Sequence, residues 1–267
     1  MSLIRRWREW RTRRALERRA VSDALWSETL QRLPFLAQRD EGELARLREM
    51  VSLFLDQKEF SAAGGFEVTD DVAVAVAAQA CLPVLHLGLQ HYAGFVGIVM
   101  HADEVVAQRE ITDDETGLVH AYDEVLAGEA MEGGPLMLSW TDASGVRSSP
   151  WGYNVVIHEF AHVLDLGNGA ADGMPLLQSA AEQRQWADVM QAEFDHFQER
   201  VVCGHEDESV IDPYGAEGVD EFFAVASESF FVTPQSLRDE RPALYALLAG
   251  YYKQDPATAR GGPAPTA

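Results

Sequence analysis

The chain has 267 residues, 47% hydrophobic and 24% charged, a composition that excludes general disorder, a collagen helix and a coiled-coil rod. Its 43 acidic residues outnumber the 21 Lys and Arg, and the net charge of −22 excludes broad electrostatic affinity for nucleic acid or anionic membranes. Residues 1–20 are the exception: they carry eight Arg and two Glu, which leaves the remainder with 13 basic and 41 acidic side chains, a net charge of −28.

A basic amphipathic arm is predicted over residues 1–22. Leu3, Trp7 and Trp10 are spaced as i, i+4 and i+7, which gives an Arg-rich helix one narrow apolar stripe. A helix of this kind binds a membrane surface or a partner protein. The alternative is a solvated helix whose Trp side chains pack on the acidic body, and the pattern alone leaves both interpretations open.

The rest of the chain predicts one domain over residues 23–252 and a disordered tail over 253–267. Cys81 and Cys203 are too few for a disulfide framework or a zinc finger, which suits a reducing compartment. The N-terminus lacks the apolar core of a secretory signal, and the sequence has no run of about 18 apolar residues. We therefore expect a cytoplasmic protein without a transmembrane segment.

The first predicted elements of this domain are helices. Leucine spacing between Trp26 and Leu55 is helical, with a break near Pro34. Residues 70–82 form a long run that is rich in Ala and begins with acidic capping residues, which favours a helix. The alternating valines of this run would also suit a strand.

Two short strands are predicted over 94–101 and 135–140, where apolar runs are bounded by turn-forming residues. The acidic connection 103–134 is too polar for the core and predicts a hairpin or loop. Helices dominate after Pro150, and Gly167–Gly169 ends the first of them. These helices are predicted over residues 153–166, 178–200, 218–231 and 234–250. Together the elements predict a mainly helical α+β fold with a small β-sheet and N-terminal helices.

The sharpest chemical signal is the string His158-Glu159-Phe160-Ala161-His162. The two histidines are four residues apart, a separation that advances about 400° and about 6 Å along an α-helix. Both imidazoles therefore project from one face of the helix and can bind one ion. Glu159 lies about 100° round the helix, where it can reach a water on that ion. Hydrolytic zinc sites need this combination of ligands and base. Core histidines with other partners are the alternative, but the apolar run 153–157 predicts a buried helix, where paired imidazoles need a partner.

The third metal ligand is left open by the spacing. The positions of a third histidine in the HExxHxxGxxH pattern hold Asp165 and Asn168, which excludes the metzincin arrangement. Three carboxylates remain: Asp165, whose short side chain better suits orienting an imidazole, Glu182 on the next helix, and Glu221 at the start of an apolar helix. Glu228 shares the face of Glu221 and is either a group that orients a ligand or a solvated acid.

Several motifs resemble one family in the same order along the chain. The matching segments are residues 77–89, Asn154–Asp165, Ala171–Pro175 and Asp220–Phe231, within a resemblance that spans most of residues 28–250. The family is that of Mlc titration factor A, glucose-regulated zinc metallopeptidases of enteric and other bacteria. Its catalytic core in turn resembles the protease domain of anthrax lethal factor, with a gluzincin-type site.

The resemblance implies a zincin-like domain with one Zn²⁺ per chain. It makes His158, His162 and Glu221 the ligands and Glu159 the general base, and it marks Tyr214 as the phenol that stabilises the transition state. A phenol aimed at the developing oxyanion has that effect.

The resemblance also implies two functions. One is aminopeptidase-like hydrolysis of short peptide substrates. The other is regulatory, because family members sequester a glucose-responsive transcriptional repressor, and a non-catalytic or weakly catalytic binding protein is therefore the alternative. The acidic body suits a basic partner, whereas direct binding of nucleic acid is not expected.

Overall fold

The computed structural model describes residues 3–103, 105–112, 119–126, 128–130, 134–145, 151–205 and 209–258. Its helices are α1 (Leu3–Arg18), α2 (Asp23–Arg32), α3 (Glu41–Gln57), α4 (Asp70–Cys81), α5 (Trp140–Ala143), α6 (Val155–Asp165), α7 (Ala180–Val202), α8 (Val219–Val232), α9 (Pro234–Glu240) and α10 (Pro242–Tyr252). Its strands are β1 (Glu59–Ala62), β2 (Gly97–His101), β3 (Val105–Thr112), β4 (Val119–Leu126), β5 (Gly128–Ala130) and β6 (Leu136–Ser139). The predicted mainly helical α+β fold is confirmed.

A small sheet has the strand order β1-β2-β6-β5, in which β1, β2 and β6 are parallel and β5 is antiparallel to β6. The two predicted strands correspond to β2 and β6. The acidic connection contains the antiparallel pair β3–β4 and then β5, so the predicted hairpin is present. Strands β1 and β5 have no counterpart among the predicted elements, since β1 is mostly exposed and β5 has three residues.

Helix α4 settles the choice between helix and strand for the valine-rich run. Val72, Val74 and Val76 are all buried, and every residue from 74 to 81 is buried, whereas Ala73 is only partly so. A helix buried on every side carries no amphipathic stripe, so its residues can alternate without forming a strand.

The predicted helix over 234–250 is wrong in one respect, because it is two helices. Arg241 lies between α9 and α10 with φ −130° and ψ 65°, and Pro242 begins α10. Proline lacks the N–H that a continuing helix needs, and it disfavours helical dihedrals in the preceding residue. The stop after α6 is as expected, because Gly169 has a φ of 95°.

The aromatic core fixes the position of α6. Phe160 is fully buried and its ring lies 4.8 Å from that of Tyr92 and 5.8 Å from those of Phe54 and Phe95, centroid to centroid. These residues come from α3 and from the segment before β2. Helix α6 is therefore clamped on its apolar side, and the face with the two histidines turns towards α8.

The predicted arm contains α1, which packs against α3. Arg18 donates a hydrogen bond of 3.0 Å to Asp56, and Ala15 is buried. Trp10 is 52% exposed, whereas the side chains of Leu3 and Trp7 lie outside the described residues. None of the described helices is both long and apolar enough to span a membrane.

The first residues of the predicted tail lie against the body. Gln254 is buried and donates a hydrogen bond of 2.9 Å to the carbonyl of Leu82. Residues 259–267 of the tail lie outside the described residues.

Candidate metal centre

The start of α6 is held by its N-cap. Asn154 Oδ1 accepts a hydrogen bond of 2.9 Å from the Ile157 N–H, and Nδ2 donates one of 2.7 Å to Gln79 on α4. Gln79 is buried and donates in turn to the carbonyl of Ala143, at 2.9 Å. An N-cap that is also tied to two neighbouring helices fixes where α6 begins and how it is rotated.

Three potential ligand atoms converge between α6 and α8. The Nε2 atoms of His158 and His162 lie 3.1 Å apart, and Oε2 of Glu221 lies 3.1 Å from the first and 3.3 Å from the second. The side chains are 12%, 15% and 21% exposed, so the cluster is shielded but reachable. Within the described part of the chain, this is the one group of three residues placed to hold a metal ion.

The cluster fits a zinc ion in spacing and in chemistry. At metal–ligand distances of about 2.0–2.1 Å and tetrahedral angles, adjacent ligand atoms lie about 3.3 Å apart. Oε2 of Glu221 is buried, and no described group donates a well-directed hydrogen bond to it although both imidazoles are adjacent. Two imidazole nitrogens and one carboxylate oxygen are the ligand set of many hydrolytic zinc sites.

Glu228 orients His158. Its Oε1 lies 2.8 Å from Nδ1 of His158, and its Oε2 accepts a hydrogen bond from the backbone N–H of Asn154. The side chain is 2% exposed, which excludes a solvated acid. A carboxylate that accepts from Nδ1–H leaves the lone pair of Nε2 facing the cluster, an arrangement common around metal-binding histidines.

The acids of the site differ in proton affinity because their surroundings differ. Burial would raise the pKa of Glu221, but the imidazoles of His158 and His162 outweigh it and lower this pKa to about 2. Burial raises the pKa of Glu159, only partly offset by the same imidazoles. Glu221 therefore stays ionised as a ligand should, whereas Glu159 binds a proton more readily than an exposed Glu, which suits a general base.

Tyr214 stands at the edge of the cluster. It lies in a 3₁₀ turn over Pro213–Ala216 that is capped by Asp212, whose Oδ1 accepts a hydrogen bond of 3.0 Å from the Tyr214 N–H. This turn packs against α8, and the Tyr214 ring centroid lies 6.0 Å from that of His158. The phenol is 45% exposed, as a side chain that meets an incoming ligand should be.

The other two carboxylates considered as third ligand have different contacts. Asp165 accepts a hydrogen bond of 2.9 Å from the N–H of Gly173, whose carbonyl accepts one of 2.8 Å from Trp186. It thus ties the loop after α6 to α7. Glu182 accepts from the N–H of Gln178 at 2.8 Å, while its own N–H donates to the N-cap Ser179 at 3.2 Å. Glu182 therefore caps α7, as a Glu in the first turn of a helix commonly does.

Asn154 and Gly128 both lie next to the candidate metal centre, but the sequence pattern does not show that they support it. The cap at Asn154 is recognisable from an Asn before an apolar helical run, but its tie to Gln79 depends on packing between α4 and α6. Gly128 is likewise visible only in three dimensions, because its neighbour Glu159 is distant along the chain.

The fold and the cluster together define a mainly helical α+β protein with a candidate metal centre of two histidines and one carboxylate between two packed helices. Comparison with known families identifies it further. Residues 7–253 match the glucose-regulated metallopeptidase family M90, and the chain belongs to this family.

Relatives match nearly the whole chain. An uncharacterized protein of Synechocystis is 36% identical over 94% of this chain and 90% of its own length. Mlc titration factor A of Salmonella arizonae is 34% identical over 88% of this chain and 92% of its own length. Mlc titration factor A of Escherichia coli O7:K1 is 35% identical over 86% of each.

Proposed function

We propose that this protein is a zinc-dependent peptidase of the gluzincin type, with an aminopeptidase-like action on short peptides. His158, His162 and Glu221 hold one Zn²⁺, Glu159 is the general base and Tyr214 stabilises the oxyanion. The observation that carries the proposal is the triangle of two Nε2 atoms and one Oε2 atom with sides of 3.1–3.3 Å. The aminopeptidase-like preference follows from the family resemblance.

When bound, Zn²⁺ supplies a Lewis acid that acidifies water and polarises the scissile carbonyl. Glu159 accepts the proton of the attacking water and delivers it to the amine nitrogen as the C–N bond breaks. The Tyr214 phenol donates a hydrogen bond to the former carbonyl oxygen while negative charge develops there. Glu228 keeps Nδ1 of His158 protonated, so that Nε2 remains a lone-pair donor throughout.

Strand β5 supports a peptide as the substrate. It ends the order β1-β2-β6-β5, and none of the described strands pairs with its outer edge. A free strand edge offers backbone N–H and C=O groups in the spacing that an extended peptide matches. Because β5 contacts α6 directly, a peptide on this edge would lie beside the metal centre.

The test combines zinc analysis of the purified protein with a panel of fluorogenic aminoacyl substrates. Wild type should contain one zinc per chain and hydrolyse the substrates, whereas E159Q should retain the zinc and lose hydrolysis. E221A should lose the zinc. The matched control is E182Q, which changes the cap of α7 and should keep both properties.

Two results would contradict the proposal. Undiminished hydrolysis by E159Q would remove Glu159 from the chemistry, and full zinc content in E221A would remove Glu221 from the ligand set. Loss of zinc from E182Q together with retention in E221A would move the third ligand to Glu182.

Repressor binding is the second function that we consider. Relatives carry the name Mlc titration factor A, and the body outside the first 20 residues has the net charge of −28 that suits a basic partner surface. Purified Mlc is the probe, presented to wild type, E159Q and zinc-stripped protein. Binding that survives loss of both zinc and Glu159 would favour a regulatory role independent of hydrolysis. Absence of binding by all three would exclude it.

A further inference from the structure

Strand β5 passes close to the proposed general base at a glycine. A Cβ atom added to Gly128 would lie 2.5 Å from Oε1, 2.6 Å from Cγ and 2.7 Å from Cδ of Glu159. All three distances are far below van der Waals contact, so only a residue without a side chain leaves room for Glu159 in its present position.

The backbone conformation does not explain this glycine. Gly128 has no positive φ, unlike Gly169 or Gly173, and lies in an extended strand that any residue can adopt. Glycine in a strand often marks a close approach by another group. At this position the approaching group is the Glu159 side chain.

Neither Gly128 nor Glu159 can move away from this contact without disturbing its own packing. Gly128 is paired with Leu138 of β6, which is 1% exposed, so the sheet holds its backbone in place. Glu159 is 5% exposed and sits on α6, which the aromatic core clamps from the other side through Phe160. None of the described residues donates a hydrogen bond to the Glu159 carboxylate, so packing sets its position.

We infer that Gly128 is a positioning residue: its missing side chain shapes the space that holds the Glu159 carboxylate beside the metal centre. The inference rests on the proposed peptidase function. A methyl group at residue 128 would displace the carboxylate, since the three atoms nearest to it all belong to Glu159 and none belongs to a proposed metal ligand. A displacement of about 1 Å in a catalytic group can cost about 100-fold in rate.

The first experiment compares G128A with wild type in zinc content and steady-state hydrolysis. We expect unchanged zinc and a loss of about 100-fold, carried by kcat, because Glu159 acts in the chemical step. G97A is the matched control: it is a glycine-to-alanine change in strand β2 of the same sheet, with Pro135 as its neighbour and no contact with Glu159. It should leave kcat unchanged.

The second experiment measures Tm and does not depend on activity. G128A should lower Tm in wild type and in E159Q, which keeps the side-chain volume, but not in E159A, which lacks the three clashing atoms. Equal Tm losses in all three backgrounds, or full kcat in G128A of an active enzyme, would overturn the inference. A wild-type protein that binds zinc without hydrolysing peptides would instead overturn the proposed function and with it this role.

Discussion

Replacing Glu228 with Gln should weaken zinc binding without touching a proposed ligand. The carboxylate accepts two hydrogen bonds, from Nδ1–H of His158 and from the backbone N–H of Asn154. A glutamine amide can accept only one of them through its oxygen, and its NH₂ group then faces the other donor. Because the residue is 2% exposed, water cannot repair the mismatch.

Two independent estimates give the size of the effect. A hydrogen bond to a charged group contributes about 1.5–3 kcal/mol. Loss of the carboxylate partner of a metal-binding histidine typically costs about 10–100-fold in metal affinity. At about 1.4 kcal/mol per factor of ten, this range corresponds to about 1.4–2.8 kcal/mol. The agreement indicates that disorientation of His158 alone can account for the expected loss.

The assay is a competition between the protein and a zinc chelator, which gives the zinc Kd of wild type, E228Q and E217Q. Glu217 is an exposed acid just before α8, so E217Q controls for the lost negative charge. Circular dichroism checks that all three proteins fold. A zinc Kd for E228Q equal to that of wild type or E217Q would refute the orienting role of Glu228.

Two further predictions concern pH and packing. In the zinc-free protein, the ionised Glu221 stabilises the fold because His158 and His162 lower its pKa from 4.5 to about 2. This contribution is present above pH 4.5 and disappears as the pH falls towards 2. The difference in unfolding free energy between wild type and E221Q, measured by urea titration, should therefore shrink as the pH falls across that window. A difference that stays constant with pH would contradict this prediction. F160A should lower the free energy of unfolding by about 3–5 kcal/mol, because it empties a fully buried site. L176A, at a residue that is 53% exposed, should change it by less than about 0.5 kcal/mol, and similar values for the two variants would refute the role of Phe160 in clamping α6.

The parts of the fold that were predictable are those that local sequence determines. Helices α4, α6, α7 and α8 follow from periodicity and end signals within single segments. The prediction of one helix over 234–250 missed the break between α9 and α10, although Pro242 carries a local signal for it. Strand β5 was not predictable, because three residues become a strand only through pairing with β6.

The candidate site divides in the same way. His158, Glu159 and His162 lie in one string, and helical geometry alone brings the imidazoles together. The proposed third ligand is a carboxylate that is distant along the chain from the two histidines. The spacing left it open among Asp165, Glu182 and Glu221. Only the packing of α8 on α6 brings Glu221 within 3.3 Å of both imidazoles. The resemblance to a known family supplied what the spacing could not.

Net charge says little about this site, because its acids act through their surroundings. Glu221 lies against two imidazoles and has a lowered pKa, whereas burial raises the pKa of Glu159 one residue from His158. Glu228 lies on the Nδ1 side of His158 and accepts two hydrogen bonds. Three residues of one type thus suit a ligand, a base and an orienting acceptor, and their environment rather than their number assigns those roles. That environment is the packing of α6 against α8 and β5, and the substitutions at Gly128 and Glu228 each alter one part of it.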